Sequence, residues 1–140
     1  MRFIRMTGLP LLFLATAAMA QAPTYQPVGT VRQIMLGIVK PTSDIIFKVA
    51  GEAPKDDKEW ATVQNSALML AETGNLLLLP GRAKDSNGVW RKNAKALIAA
   101  GTLAFKAANA KDANALTDIG DKIDETCEGC HAQYLPKPPE

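Results

Sequence analysis

The chain has 140 residues, with 16 Lys and Arg against 14 Asp and Glu, one His and two Cys. This near-neutral balance gives no electrostatic case for nucleic-acid binding or for long-range steering of a charged partner. The length suits one domain, and two Cys with a single His leave a tetrahedral zinc shell incomplete.

In chain order, Arg2 and Arg5 precede the apolar run from Leu9 to Ala15, and Ala18-Met19-Ala20 follows. A charged start, a short apolar stretch and an A-x-A site predict a signal peptide over residues 1–20, with Gln21 the first mature residue. The run is shorter than the roughly 20 apolar residues that a membrane span requires, and no later segment fits one. The expectation is an exported, soluble, periplasmic product with no membrane span. Without its leader the chain carries 14 basic and 14 acidic residues, since Arg2 and Arg5 go with it.

Four segments of the mature chain, residues 21–140, have helical periodicity, and none alternates with period two. The first helix opens at Thr30, where Thr30-Val31-Arg32-Gln33 has the form of a capping box. Its apolar stripe is Val31, Ile34, Met35, Ile38, Ile45, Ile46 and Val49, ending near Gly51. Pro41 interrupts it and frees the carbonyl of Gly37, so a kink or brief break is expected there. The second helix opens around Asp56, runs through Trp60, Val63, Ala67, Leu70, Ala71, Gly74 and Leu77, and ends before Pro80-Gly81.

The third helix is expected from Asp85 or Ser86, burying Trp90, Leu97, Ile98, Gly101, Ala104, Phe105 and Ala108. The fourth starts at Asp112 with the stripe Leu116, Ile119, Ile123, Cys127, Cys130 and Tyr134, and Pro136 stops it. Four helices joined by short connections predict an all-α, antiparallel, up-down-up-down four-helix bundle in a single domain. Gly74, Gly101, Gly120, Ala67 and Ala104 on the inner stripes allow the helices to approach closely.

Cys127-Glu128-Gly129-Cys130-His131 has the C-x-x-C-H spacing of c-type haem attachment. Each sulfur can add across one haem vinyl group, and the histidine can offer its imidazole to the iron. On a helix these three side chains share one side of about a single turn. A redox disulfide or half of a zinc site is the alternative use of two cysteines. The thioredoxin-like βαβ pattern that a redox pair would accompany is absent, and no further ligands complete a zinc site.

The bundle and the motif together resemble the class II c-type cytochromes, the cytochrome c-prime family, in which a four-helix bundle carries C-x-x-C-H near its C-terminus. The resemblance spans the mature chain, but its specific part is small. It consists of Cys127, Cys130 and His131, with Tyr134 and Lys137 echoing residues that often follow, and Arg32-Gln33 similar to a pair early in that family's first helix. It implies one covalent haem c with its iron and electron transfer with periplasmic redox partner proteins rather than catalysis. It also leaves room for a homodimer.

His131 is the only histidine, so a second imidazole from the same chain cannot ligate the iron. Methionine is the remaining strong ligand, and residues 21–140 hold only Met35 and Met69. In the expected bundle the end of the fourth helix is level with the start of the first, which matches Met35 to His131. At about 1.5 Å rise per residue, Met69 would lie on the order of 10 Å deeper along the second helix. Met35 is therefore the expected sixth ligand, although a methionine on an apolar stripe also serves as packing.

Five-coordinate members of the family leave the sixth position empty behind a bulky apolar side chain. Counting from Arg32-Gln33 as in those members places Leu36 there, and implies a haem that binds nitric oxide or carbon monoxide. Haem propionates need cationic or hydrogen-bonding neighbours. Arg32 is the first candidate, followed by Arg82, Lys84 and Arg91. Trp90 and Leu77 are expected in the pocket wall.

Overall fold

A computed structural model describes residues 25–85 and 88–135. The expected signal over residues 1–20, Ser86, and the Pro-rich tail from residue 136 lie outside them. All elements among the described residues are helical: α1 (Val31–Ile34), a π-helical segment (Met35–Val39), α2 (Lys40–Lys48), α3 (Asp57–Leu77), α4 (Val89–Asn109) and α5 (Ala113–Tyr134). The first three follow one another without a gap, so the chain forms four packed helices. No helix among the described residues is long and apolar enough to cross a membrane.

Side chains at the helix starts supply the partners that the first-turn amides lack. The Thr30 hydroxyl accepts from the Gln33 amide at 3.2 Å, and the Gln33 side chain accepts from the Thr30 amide at 2.9 Å. Asp56 caps α3 through the Glu59 amide at 2.8 Å, and Asp112 caps α5 through the Ala115 amide at 2.9 Å. The helix expected from Asp85 or Ser86 begins instead at Val89. Gly88 before it has φ +87°, a left-handed backbone that cannot belong to the helix. The Asp85 carboxylate still serves that helix start, accepting the Trp90 amide at 3.1 Å.

Pro41 does not break the first helix. Its missing N–H and its ring are accommodated by the π turn, in which the Lys40 amide donates to Met35, five residues back. The Thr42 hydroxyl donates to the carbonyls of Ile38 and Val39 at 2.7 and 3.0 Å. The π turn adds one residue to the repeat, so the buried stripe runs from Ile34 to Val39 and on to Thr42, Ser43 and Ile46. Val39 thus takes the inward place expected for Ile38.

α3 and α4 pack backbone against backbone. A Cβ on Gly101 would lie 2.6 Å from the Ala71 nitrogen and 2.7 Å from its Cα. One on Gly74 would lie 2.5 Å from Ile98 Cγ1 and 2.8 Å from the Ala94 carbonyl oxygen. Around this contact Ile46, Leu70, Leu116 and Ile123 are fully buried, one or more from each packed helix except α4, which adds Ala104 and Trp90. The buried hydroxyls of Ser66 and Thr73 bond to carbonyls one turn back, so they bring no unpaired donor into the core. Met69 is on the outer face of α3 and 46% exposed, outside the core.

Gly120, the third glycine of the inner stripes, is different: a Cβ there meets only the Phe47 ring, at 3.6 Å. Gly101→Ala should therefore lower stability by about 1–3 kcal/mol, because the new methyl displaces a backbone. Gly120→Ala should raise it by up to about 1 kcal/mol through helix propensity. Urea unfolding of the two variants beside the parent checks both signs.

Candidate functional site

One end of the bundle holds a cavity of about 40 Å³ to which all four packed helices contribute. Met35 and Val39 come from the π segment, and Leu77 from the last turn of α3. Trp90, Asn93, Ala94 and Leu97 line it from α4, and Thr126, Cys127, Cys130 and His131 from α5. The wall is apolar apart from Asn93, Thr126 and His131. Trp90 is fixed in it by two contacts. Its indole N–H donates to the Leu77 carbonyl at 2.8 Å, and its ring meets Tyr134 edge-on, with centroids 5.1 Å apart and planes at 75°.

Cys127 and Cys130 are free thiols, half-buried at the point where the inner stripe of α5 runs out of packing partners. Burial raises the Cys127 thiol above its ordinary range, and the Asp124 carboxylate and the neighbouring Cys130 add to the effect. Burial alone raises Cys130. Both are neutral thiols at neutral pH. His131 lines the cavity from an exposed position. Among the described residues no three His, Cys, Asp or Glu side chains converge in the manner of a bare-ion site.

Of the expected site residues, Cys127, Cys130, His131 and Met35 are brought together on this one cavity, with Trp90 and Leu77 in its wall. Arg32 is exposed and outside the lining, and its side chain forms no hydrogen bond or ion pair with the described residues. Leu36 is 58% exposed and also outside the lining, as is Met69. Arg82 is buried, and its guanidinium donates to the carbonyls of Leu76 at 2.7 Å and Gly29 at 3.2 Å. That guanidinium ties the approach to α1 onto the end of α3.

Asn93, Thr126 and Val39 were not singled out by sequence. The signal for Asn93 is its spacing: it is three residues after Trp90 and four before Leu97, on the inward side of α4. Four buried polar atoms among the described residues lack a partner: Arg82 Nε, Asp85 Oδ1, Asn93 Nδ2 and Tyr134 Oη. All four gather at the cavity end, linked through Trp90, Leu76 and Leu77. Unpaired buried groups are uncommon in a finished core and mark a place for a further polar partner. No protein-family description, curated protein or solved structure matches this chain.

The π turn determines which side chain of the first helix faces the cavity, and Pro41 is the residue that cannot complete an ordinary α turn there. Pro41→Ala should let residue 41 donate to the Gly37 carbonyl and return the segment to α-helix. Val39 then rotates by about 100° relative to the preceding turn and Ile38 replaces it inside. A crystal structure of the variant, or NMR couplings across the hydrogen bonds, reports the change. Persistence of the Lys40-to-Met35 bond would show that proline is not its cause.

Proposed function

We propose that this chain is an exported, periplasmic monohaem cytochrome of the class II type, an electron carrier rather than an enzyme. In this reading the helices form an antiparallel, up-down-up-down bundle around one covalent haem c. For α3 and α4 that order is supported by three contacts: Leu77 with Trp90, Ala71 with Gly101, and Gln64 with Ala108. The observation that carries the function is the convergence of two free thiols, the single histidine and the Met35 thioether on one apolar cavity. A flat apolar ring with an iron at its centre is the group whose needs this donor set meets.

Cys127 and Cys130 would hold the ring by thioether bonds to its vinyl groups, each exchanging one S–H bond for one S–C bond while the proton goes to the neighbouring vinyl carbon, with no oxidant needed. His131 and Met35, which line the cavity from two different helices, would hold the iron, and two protein ligands would keep its surroundings little changed between oxidation states. Trp90, Leu77 and Leu97 exclude water from the ring. Bound haem supplies the Fe(III)/Fe(II) couple that the polypeptide lacks.

The cavity is smaller than a porphyrin, so binding requires the last turns of α5 to move outward. Those turns carry half-buried Cys130 and Tyr134 and exposed His131, and they are the least enclosed wall. Arg32, one turn before Met35 and exposed, is a cation for a propionate at the rim. A periplasmic redox protein is the expected partner, and a homodimer is compatible with this reading. For the five-coordinate, gas-binding alternative, Leu36, its expected shielding side chain, is exposed and outside the cavity lining, whereas Met35 is in it.

The purified protein should weigh one haem more than its mature polypeptide and retain haem stain after denaturing electrophoresis. Cys127→Ala combined with Cys130→Ala should leave any haem extractable by acidic organic solvent. Low-spin ferric and ferrous spectra are expected for the parent. Met35→Ala should turn them high-spin, admit carbon monoxide rapidly and lower the reduction potential, since a thioether favours ferrous iron. Met69→Leu, on the outer face, should change none of these. A parent that is already high-spin and binds carbon monoxide at once would hand the function to gas binding.

A further inference from the structure

The near-equal totals of acid and base conceal a segregation between the two helices that supply most of the cavity wall. α4 holds Arg91, Lys92, Lys95 and Lys106 and no carboxylate. α5 holds Asp118, Asp121, Asp124, Glu125 and Glu128, with Lys122 the one lysine or arginine among them. All of these residues are exposed, and none of their side chains pairs with the described residues. The ion pairs among the described residues lie outside both helices: Lys40 with Asp44, Lys55 with Glu52, and Lys111 with Asp57.

The charges follow stripes. On α4, Lys92, Lys95, Ala99, Leu103 and Lys106 recur at spacings of three and four, away from the inner face of Trp90, Leu97 and Ala104. Leu103, 42% exposed, is the one large apolar side chain exposed on that helix. On α5 the stripe is Asp118, Asp121, Glu125, Glu128 and Ala132, opposite the buried Leu116 and Ile123. Asn93 against Gly129 and Trp90 against Tyr134 align one end of the pair, and residues 110–112 join the other. With the helices antiparallel as proposed above, this register puts Lys95 level with the turn from Glu125 to Glu128. It puts Lys106 within about one turn of Asp118.

A surface of this kind is complementary to itself. A two-fold axis parallel to the helices lays α4 of one copy over α5 of another at the same level, and repeats each contact on the other side of the axis. Lysines then meet carboxylates of the second copy, with Ala99 and Leu103 between them. Within one chain the two stripes lie side by side, and both point to water.

We propose that the outward face of α4 and α5 is a self-association surface, and that its occupant is a second copy of this chain in that two-fold arrangement. This rests on the antiparallel order of the bundle and is independent of the haem. Each exposed ion pair is weak, so the dimer is reversible, held by the number of pairs, doubled by symmetry, and by the Leu103 anchor. It is sensitive to salt, because the screening length falls from roughly 30 Å at 0.01 M to about 8 Å at 0.15 M.

Sedimentation equilibrium of the mature protein over a concentration series tests this. A monomer–dimer equilibrium is expected at low salt, its dissociation constant rising about tenfold or more by physiological ionic strength as several weak pairs are screened together. Lys95→Glu and Glu125→Lys, both on the surface, should each keep the helical circular dichroism and each sediment as monomers at low salt. Mixed in equal amounts they should dimerise again, because each supplies the charge that the other has lost. A double variant carrying both changes should dimerise alone.

Protein that stays monomeric at low salt overturns the proposal and leaves this face to a partner of another kind. A dimer indifferent to salt and to both substitutions overturns it too, since it must use another face. So does a mixture of the two single variants that remains monomeric. Haem content, read from mass, enters none of these outcomes, so this proposal and the cytochrome reading fail separately.

Discussion

The rest of the bundle is arranged around the contact between α3 and α4 at Gly74 and Gly101. There the helices touch through backbone atoms, with Ala71, Ala94 and Ile98 as the opposing surfaces. Close packing of this kind leaves no slack, since interiors are as dense as organic crystals and a single methyl is felt. The two helices therefore form a fixed slab. The first helix and α5 must place their stripes against it, through Ile46 on one side and Leu116 and Ile123 on the other. Small residues bring the middle of the slab together, while at its end the large Trp90 side chain bridges α4 to the Leu77 carbonyl of α3. The cavity forms where the large side chains begin.

The polar groups divide the two ends of the bundle in the same way. Away from the cavity the connections are closed: Gln64 reaches the Ala108 carbonyl, Lys111 reaches Asp57, and Asp56 and Asp112 cap their helices. At the cavity end Arg82, Asp85, Asn93 and Tyr134 each keep one buried atom unpaired. A fold that satisfies its polar groups at one end and not at the other carries its strain at one place. The same end has the half-buried thiols and the exposed His131. Apolar walls, free sulfur and a few unpaired polar atoms together describe an environment suited to a mostly apolar partner with some polar groups of its own.

Much of this was legible from residue spacing. Capping at Thr30, Asp56 and Asp112 follows from side-chain chemistry within three residues, and the inner faces of α3, α4 and α5 follow from a regular 3.6 period. The placement of Met35, Cys127, Cys130 and His131 on one cavity follows from helix lengths and a motif. What could not be read depended on departures from that regularity. Pro41 announces a missing donor, but a break and a π turn both answer it. Only the surrounding packing chooses the π turn, which moves Val39 inside in place of Ile38. The start of α4 was hidden for a similar reason, because Asp85 caps across a left-handed Gly88 rather than from the adjoining position. Arg82 reads as a surface charge until its two carbonyl partners, one of them in the segment before α1, are seen.

The inner stripe of α5 joins fold to chemistry most directly. Leu116 and Ile123 on it are fully buried and Ile119 nearly so, whereas Cys127, Cys130 and Tyr134 on the same face are half-buried. Burying apolar surface contributes roughly 25 cal/mol per Å², so the first half of the helix is held by its packing and the second half far less. A helix anchored at one end and loosely covered at the other opens locally at the loose end first. That end carries the two thiols and the histidine. The turns of α5 that contribute least to the bundle are thus the ones with reactive groups, and they can part from Trp90 and Asn93 without disturbing the Gly74–Gly101 contact. A partner that fills the space between them would convert the loosely covered half of α5 into a continuation of the core, so binding there and completion of the fold become a single event.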